Sequence, residues 1–308
     1  MDQIAFLFAG QGAQYPGMGK DLYETNPAAK AVFDMGERMR PGTLEQCFAS
    51  DMQTLSLTEN TQPCLFLTDL ACARALESKG VSPVCAAGFS LGEIAALAFC
   101  GVLTDEDAFK LVMERAKVMS ACAEEHPGAM AAVLKLSADK VEELCGAFEE
   151  MYPVNYNCPG QIAVAGSLKE IDAFCAAVKE AGGRAIRLSV SGAFHTPYME
   201  KASQKLLEVA SQLSVKRPLI PLYSNFTAKP YPWDKEEIAN LIAMQVSHSV
   251  KWETIVREMS ESGINCWIEV GAGKTLSGLV SRTLPGAKVC NVSDAESLDS
   301  TASVCCAP

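Results

Sequence analysis

Solid apolar runs alternate with apolar stripes of helical spacing along the first part of this chain. Positions 4–9 are a continuous apolar run that ends in Gly10-Gln11-Gly12, the pattern of a buried strand entering a tight loop. Positions 62–79 carry Pro63 near their start and Gly80 just past their end, the asymmetry expected of a helix. Positions 84–89 predict a second buried strand, and 92–100 the helix that continues from it. Over 105–122 apolar residues recur every three or four positions, which predicts a longer helix with one core-facing stripe. Strands alternating with helices in this way predict a mainly parallel sheet covered on both faces.

The pattern changes after His126-Pro127-Gly128. A strand is predicted at 129–136, a helix at 138–149, and a hairpin of 154–157 and 161–165 around Pro159-Gly160. A helix at 168–181 closes on Gly182-Gly183, and a strand follows at 184–190. This β-α-β-β-α-β order is that of a ferredoxin-like unit. We therefore expect a small subdomain over 126–195, inserted between two parts, 1–125 and 196–308, of a larger one. From Thr196 the first pattern resumes, with a helix to 213, a strand near 220–224 and a helix at 235–245. A strand at 266–270 then runs into Gly271-Ala272-Gly273. The tail from Ser293 is small and polar and is expected to be frayed.

Composition narrows the function classes. With 308 residues the chain has enough length for a large and a small core, and 49% hydrophobic with 20% charged residues is ordinary for a folded protein. A net charge of −11 argues against nucleic acid and means that an acidic partner must dock on a local basic patch. The 13 cysteines include no C-x-x-C pair, so neither a zinc nor a redox site is expected, and their scatter suits a reduced, cytoplasmic setting. The N-terminus lacks the pattern of a signal peptide. Only positions 84–103 are long enough to resemble a membrane span. Glu93 lies in their middle, where a charge costs about 2.5–3.5 kcal/mol or more, so no membrane association is expected.

Within that stretch Gly88-Phe89-Ser90-Leu91-Gly92 matches G-x-S-x-G between a predicted strand and a predicted helix. A sharp strand-to-helix turn needs small flanking residues so that the serine projects freely as a nucleophile. The alternative is a helix start merely capped by Ser90. A serine needs a base, and there are three histidines. His126 sits in a charged connection that suits a surface turn. His195 follows a predicted strand, and His248 lies in a polar stretch after a helix; spacing leaves both open. The backbone amides of Gln11 and Leu91 are candidate oxyanion donors. Arg115 falls on the apolar stripe of its helix, so its charge needs an anion. That anion is either an internal carboxylate such as Glu93, which we favour from the pattern, or a substrate carboxylate.

These residues resemble the malonyl-CoA:acyl-carrier-protein transacylase family of stand-alone bacterial type. The likeness extends from Phe8 to about Leu279 through Thr61-Gln62-Pro63, Gly88 to Glu93, Arg115, Asn157 to Gln161, Gly192 to His195, Gln245 and Glu269 to Lys274. It implies an α/β-hydrolase-like parallel-sheet core with an inserted ferredoxin-like subdomain, and a Ser90–His195 dyad with Gln245 orienting the histidine. It also implies Arg115 as the clamp for a malonyl carboxylate, with Gln62, Asn157 and Phe194 completing the substrate site. The implied reaction is ping-pong transfer from malonyl-CoA, through an ester on Ser90, to the phosphopantetheine thiol of a holo acyl carrier protein, supplying fatty acid or polyketide synthesis. The resemblance further implies no permanently bound cofactor, no metal and a monomer. Lys117, Arg184, Lys201 and Arg282 are candidates for docking the acidic carrier. Three positions depart from the family pattern: Phe89 where histidine is usual, and Ser249 and Ala272 where proline is usual. A hydrolase using water in place of the thiol, and a non-catalytic docking subunit, are the alternatives.

Overall fold

The structure is a computed structural model that describes residues 2–188, 190 and 192–305. Among these residues nine strands form two sheets. They are β1 (Ile4–Phe8), β2 (Cys85–Gly88), β3 (Gly128–Leu134), β4 (Met151–Cys158), β5 (Gln161–Ser167), β6 (Arg184–Arg187), β7 (Leu222–Tyr223), β8 (Cys266–Val270) and β9 (Lys288–Val292). The first sheet has the order β7-β2-β1-β8-β9, with every neighbouring pair parallel. The apolar run of β1 explains its central place, because successive side chains enter opposite cores. Phe6 and Phe8 pack with Phe66, Leu70 and Phe99 on one face. Ala5 and Leu7 pack with Trp252, Val256 and Val280 on the other.

The second sheet has the order β4-β5-β3-β6 and is antiparallel throughout. Helices Ala138–Cys145 and Ile171–Glu180 cover one face, with Val133 and Val164 of the sheet meeting Val141 and Phe174. Strand β4 is also tied to the first layer. Val250 donates to the Val154 carbonyl at 2.8 Å and accepts from Tyr156 N–H at 2.9 Å.

Three expectations need correction. The helix placed at 62–79 begins at Thr58 and contains Pro63 in its interior; its polar first turn carries no apolar stripe and reads as loop. The tail is not frayed: Ala295–Cys305 is helical, with Leu298 and Thr301 buried. Its start is capped where Asp294 Oδ1 accepts Ser297 N–H at 2.8 Å, and Ala295 N–H donates to Asp21 at 2.6 Å. The strand expected over 184–190 is described as far as Arg187; position 189, like Cys306, lies outside the described residues. Among the described residues no helix is long and apolar enough to cross a membrane, no His, Cys, Asp and Glu cluster suits a metal, and twelve cysteines are free.

Candidate active site

Ser90 stands between β2 and the Leu91–Phe99 helix with φ 52° and ψ −106°, a conformation that costs a non-glycine residue about 1–3 kcal/mol. The flanking glycines make this turn possible. A Cβ on Gly88 would run into the backbone of Gly92, and one on Gly92 into the Phe8 carbonyl, each well inside van der Waals contact. Polar side chains then hold both peptide groups of the serine. Asn225 Oδ1 accepts the Ser90 N–H at 2.6 Å, while its Nδ2 donates to the Gly88 carbonyl at 2.6 Å. On the other side, Gln245 Nε2 donates to the Ser90 carbonyl. In a trans peptide the C=O and the following N–H point oppositely, so this grip also aims the Leu91 N–H. That group is the first donor of its helix and has no intrahelical acceptor.

His195 Nε2 lies 2.8 Å from Ser90 Oγ. Its Nδ1 faces the carbonyl oxygens of Gln245 and His248 at 3.0 and 3.1 Å, and since both can only accept, the ring proton belongs on Nδ1. Nε2 is then free to accept from the serine hydroxyl. Burial, and then the Arg115 charge, lower the His195 pKa to about 4 against the smaller opposing effect of the two carbonyls. The imidazole is therefore neutral at pH 7. His248 gives only its carbonyl to this arrangement; its own Nδ1 is 2.8 Å from the Met244 carbonyl and its ring packs on Phe226. His126 is at the C-terminal end of the Asp105–Glu125 helix, beside Glu125.

Arg115, from the Asp105–Glu125 helix, reaches the same point and is 1% exposed. Nη1 donates to Gln62 Oε1 at 2.9 Å, and Nη2 donates to Gln245 Oε1 at 2.9 Å and to Ser90 Oγ at 3.1 Å. The expected Glu93 pair does not form. Glu93 accepts from Asn225 N–H at 2.8 Å and from Tyr231 O–H, and acts on the guanidinium only through space. Among the described residues Arg115 makes no ion pair, so a buried cation beside the serine has only neutral partners. Burial lowers its pKa to about 10 and raises that of the Glu93 carboxyl to about 7.

The loop after β1 brings Gln11 to this edge, and Gly10 is required there because a Cβ would lie 2.6 Å from the Phe89 carbonyl oxygen. A cavity of about 430 Å³ opens between the two sheets, lined by Gln11, Phe89, Asn157, Gln161, Ala163 and Leu276 among others. A neighbouring one of about 470 Å³ shares Gln11, Ser56 and Val190 with it. Asn157 is buried and its Oδ1 has no hydrogen-bond partner among the described residues. Gln62 Nε2 is turned to Met119 Sδ at 3.6 Å. Phe194 is buried and packs beside Gly192. Phe89 stacks edge-on against Trp252, with ring centroids 5.5 Å apart. Of the basic candidates, Lys117 and Arg184 are exposed, Lys201 pairs with Glu125, and Arg282 donates to Gln161 at the cavity wall.

The structure thus brings Ser90, His195, Arg115, Gln62 and Gln245 into one hydrogen-bonded set. Gln245 meets the histidine through its backbone carbonyl, while its side chain serves Arg115 and Ser90. Sequence reasoning missed Asn225 and Tyr231. Their one signal was position: Asn225 follows closely on the predicted strand at 220–224, at the sheet edge where the elbow also lies.

The chain matches the acyl transferase domain family over residues 5–301. It is 37% identical over 305 residues to the malonyl CoA-acyl carrier protein transacylase of Bacillus subtilis (strain 168), covering 97% of this chain and 96% of that one. The transacylase of the same name from Synechocystis is 33% identical over 298 residues, covering 97% and 99%. Among solved structures, the malonyl CoA-acyl carrier protein transacylase of Clostridium perfringens superposes with a TM-score of 0.94 at 36% identity, over 98% of this chain and 96% of that one. A malonyl-transacylase solved in complex with its type II PKS acyl-carrier protein gives a TM-score of 0.94 at 30% identity, over 98% and 100%.

Proposed function

The chain belongs to the acyl transferase domain family and, within it, to the malonyl CoA-acyl carrier protein transacylases; on that premise we propose that it transfers malonyl from malonyl-CoA to a holo acyl carrier protein through an ester on Ser90. His195 Nε2 takes the hydroxyl proton as Oγ attacks the thioester carbonyl. The Gln11 and Leu91 amides receive the oxyanion. The C–S bond then breaks, and coenzyme A leaves with the proton held by His195. In the second half the carrier's phosphopantetheine thiol gives its proton to His195 and its sulfur attacks the ester. The C–O bond breaks, and Ser90 Oγ regains the proton.

The observation that carries this reading is the buried Arg115 guanidinium, 3.1 Å from Ser90 Oγ and surrounded by neutral acceptors. A malonyl carboxylate supplies the missing anion, and the planar fork suits bidentate binding. An acyl group without a carboxylate leaves that charge unpaired, which is the physical basis of selectivity. Gln62 and Gln245 hold the guanidinium, Asn157 and Gln161 line the path of the pantetheine arm, and Phe194, buried next to His195 in the chain, completes the substrate site.

On this reading the parallel-sheet layer is an α/β-hydrolase-like core over 1–125 and 196–308, and the antiparallel sheet is a ferredoxin-like insert over 126–195. The protein works as a cytoplasmic monomer that needs no resident cofactor. The exposed Lys117, Arg184 and Lys201, with Arg282 at the cavity wall, dock the acidic carrier. The test is capture of the malonyl ester on Ser90 and its discharge onto holo carrier protein.

A further inference from the structure

We propose that Asn225 is a positioning residue that locks the backbone of Ser90 and couples it to the segment supporting the base. The inference rests on the reading of Ser90 and His195 given above. Asn225 is fully buried. Its side chain bridges the elbow, accepting from Ser90 N–H and donating to the Gly88 carbonyl, each at 2.6 Å. Those two peptide groups flank Phe89 on the inside of the turn. An amide is the side chain of this length that offers a donor and an acceptor without charge at every pH.

The backbone of Asn225 is equally engaged. Its N–H donates to Glu93 Oε2 at 2.8 Å, and Glu93 is held from behind by Tyr231. Its carbonyl accepts from Lys251 N–H at 2.9 Å. Lys251 closes the short segment whose His248 carbonyl faces His195 Nδ1 at 3.1 Å. One residue therefore joins the nucleophile's backbone to the support of the base, which explains how a strained serine stays within 2.8 Å of Nε2.

The test compares Asn225→Ala and Asn225→Asp with wild type, reading acylation by malonyl-CoA and labelling of Ser90 by a fluorophosphonate. Asn225→Ala is expected to slow both by about a hundredfold, the usual effect of misplacing a reacting atom by about an ångström, with the KM for malonyl-CoA held within about threefold. Asn225→Asp is nearly isosteric and separates positioning from simple folding. Ionised, it still accepts from Ser90 N–H but has nothing to donate to Gly88, and its charge sits close to the Glu93 carboxyl that the backbone N–H of residue 225 contacts. Protonated, it regains the donor. The other groups that titrate or carry charge around it are Tyr231 behind, Lys251 alongside, and His195 and Arg115 across Ser90.

The ratio of Asn225→Asp to wild-type rates should therefore climb by about tenfold or more as the pH falls from about 8.5 to about 5.5. A ratio flat with pH overturns the inference, as does an Asn225→Ala enzyme that is acylated and labelled within about threefold of wild type. A wild type labelled by the fluorophosphonate but not acylated by malonyl-CoA counts against the acyl-transfer reading instead. The Asn225 comparison is then decided by the labelling rates.

Discussion

Removing the guanidinium by Arg115→Ala should collapse the enzyme's discrimination between malonyl and acetyl groups. In the wild type the charge is buried, held by Gln62, Gln245 and Ser90, and makes no ion pair among the described residues; on the proposed reading a malonyl carboxylate supplies the anion. Truncating one partner of a buried, hydrogen-bonded charge pair costs about 2–5 kcal/mol. That corresponds to a loss of about thirty- to several-thousand-fold in malonyl acylation. The same change also removes the 3.1 Å contact to Ser90 Oγ, which handicaps every acyl donor alike. The informative quantity is therefore the ratio of malonyl-CoA to acetyl-CoA acylation rates, measured by rapid quench and intact mass. It should fall by at least about thirtyfold, while acetyl transfer gains relative to malonyl. An unchanged ratio, with both rates reduced together, refutes the clamp and leaves Arg115 as a support for the serine.

Three further outcomes follow from the geometry of the elbow and the base. His195 has its pKa lowered to about 4, so wild-type acylation should stay level from neutral pH down to about 5 and decline as the ring is protonated below that. Because the Arg115 charge is the second cause of that depression, Arg115→Ala should move the declining limb to higher pH; a limb that stays in place shows that burial alone sets it. Gly92→Ala should destabilise the fold by about 1–3 kcal/mol or more through overpacking against the Phe8 carbonyl, read as a lowered Tm, and an unchanged Tm contradicts the elbow geometry.

Local signals made much of the fold legible. The strand at β1, the elbow glycines and the place of Arg115 on the inner stripe of its helix all follow from short-range periodicity. What was hidden depends on distant partners. Glu93 was expected to pair with Arg115, but its acceptors are taken by Asn225 and Tyr231, 132 and 138 residues further along the chain. A buried carboxyl can satisfy itself with neutral donors, and sequence spacing carries no record of which donor arrives. The two histidines left open by spacing differ in the structure because the carbonyls of Gln245 and His248 both converge on His195 Nδ1. That is a backbone contact, and side-chain identity does not announce it. The C-terminal helix was missed for another reason. Its Ser-, Thr- and Asp-rich sequence resembles a loose tail, yet Asp294 and Ser297 are the caps that start it.

Transfer by the proposed route requires a covalent malonyl group on Ser90 that waits for a thiol. Intact-protein mass spectrometry after brief mixing with malonyl-CoA tests it most directly, beside Ser90→Ala and with holo carrier protein added afterwards. The expected result is a malonyl-sized adduct on wild type alone, stable in buffer and discharged by the carrier. An absent adduct contradicts it, as does one on Ser90→Ala or an ester that water removes as fast as the carrier does.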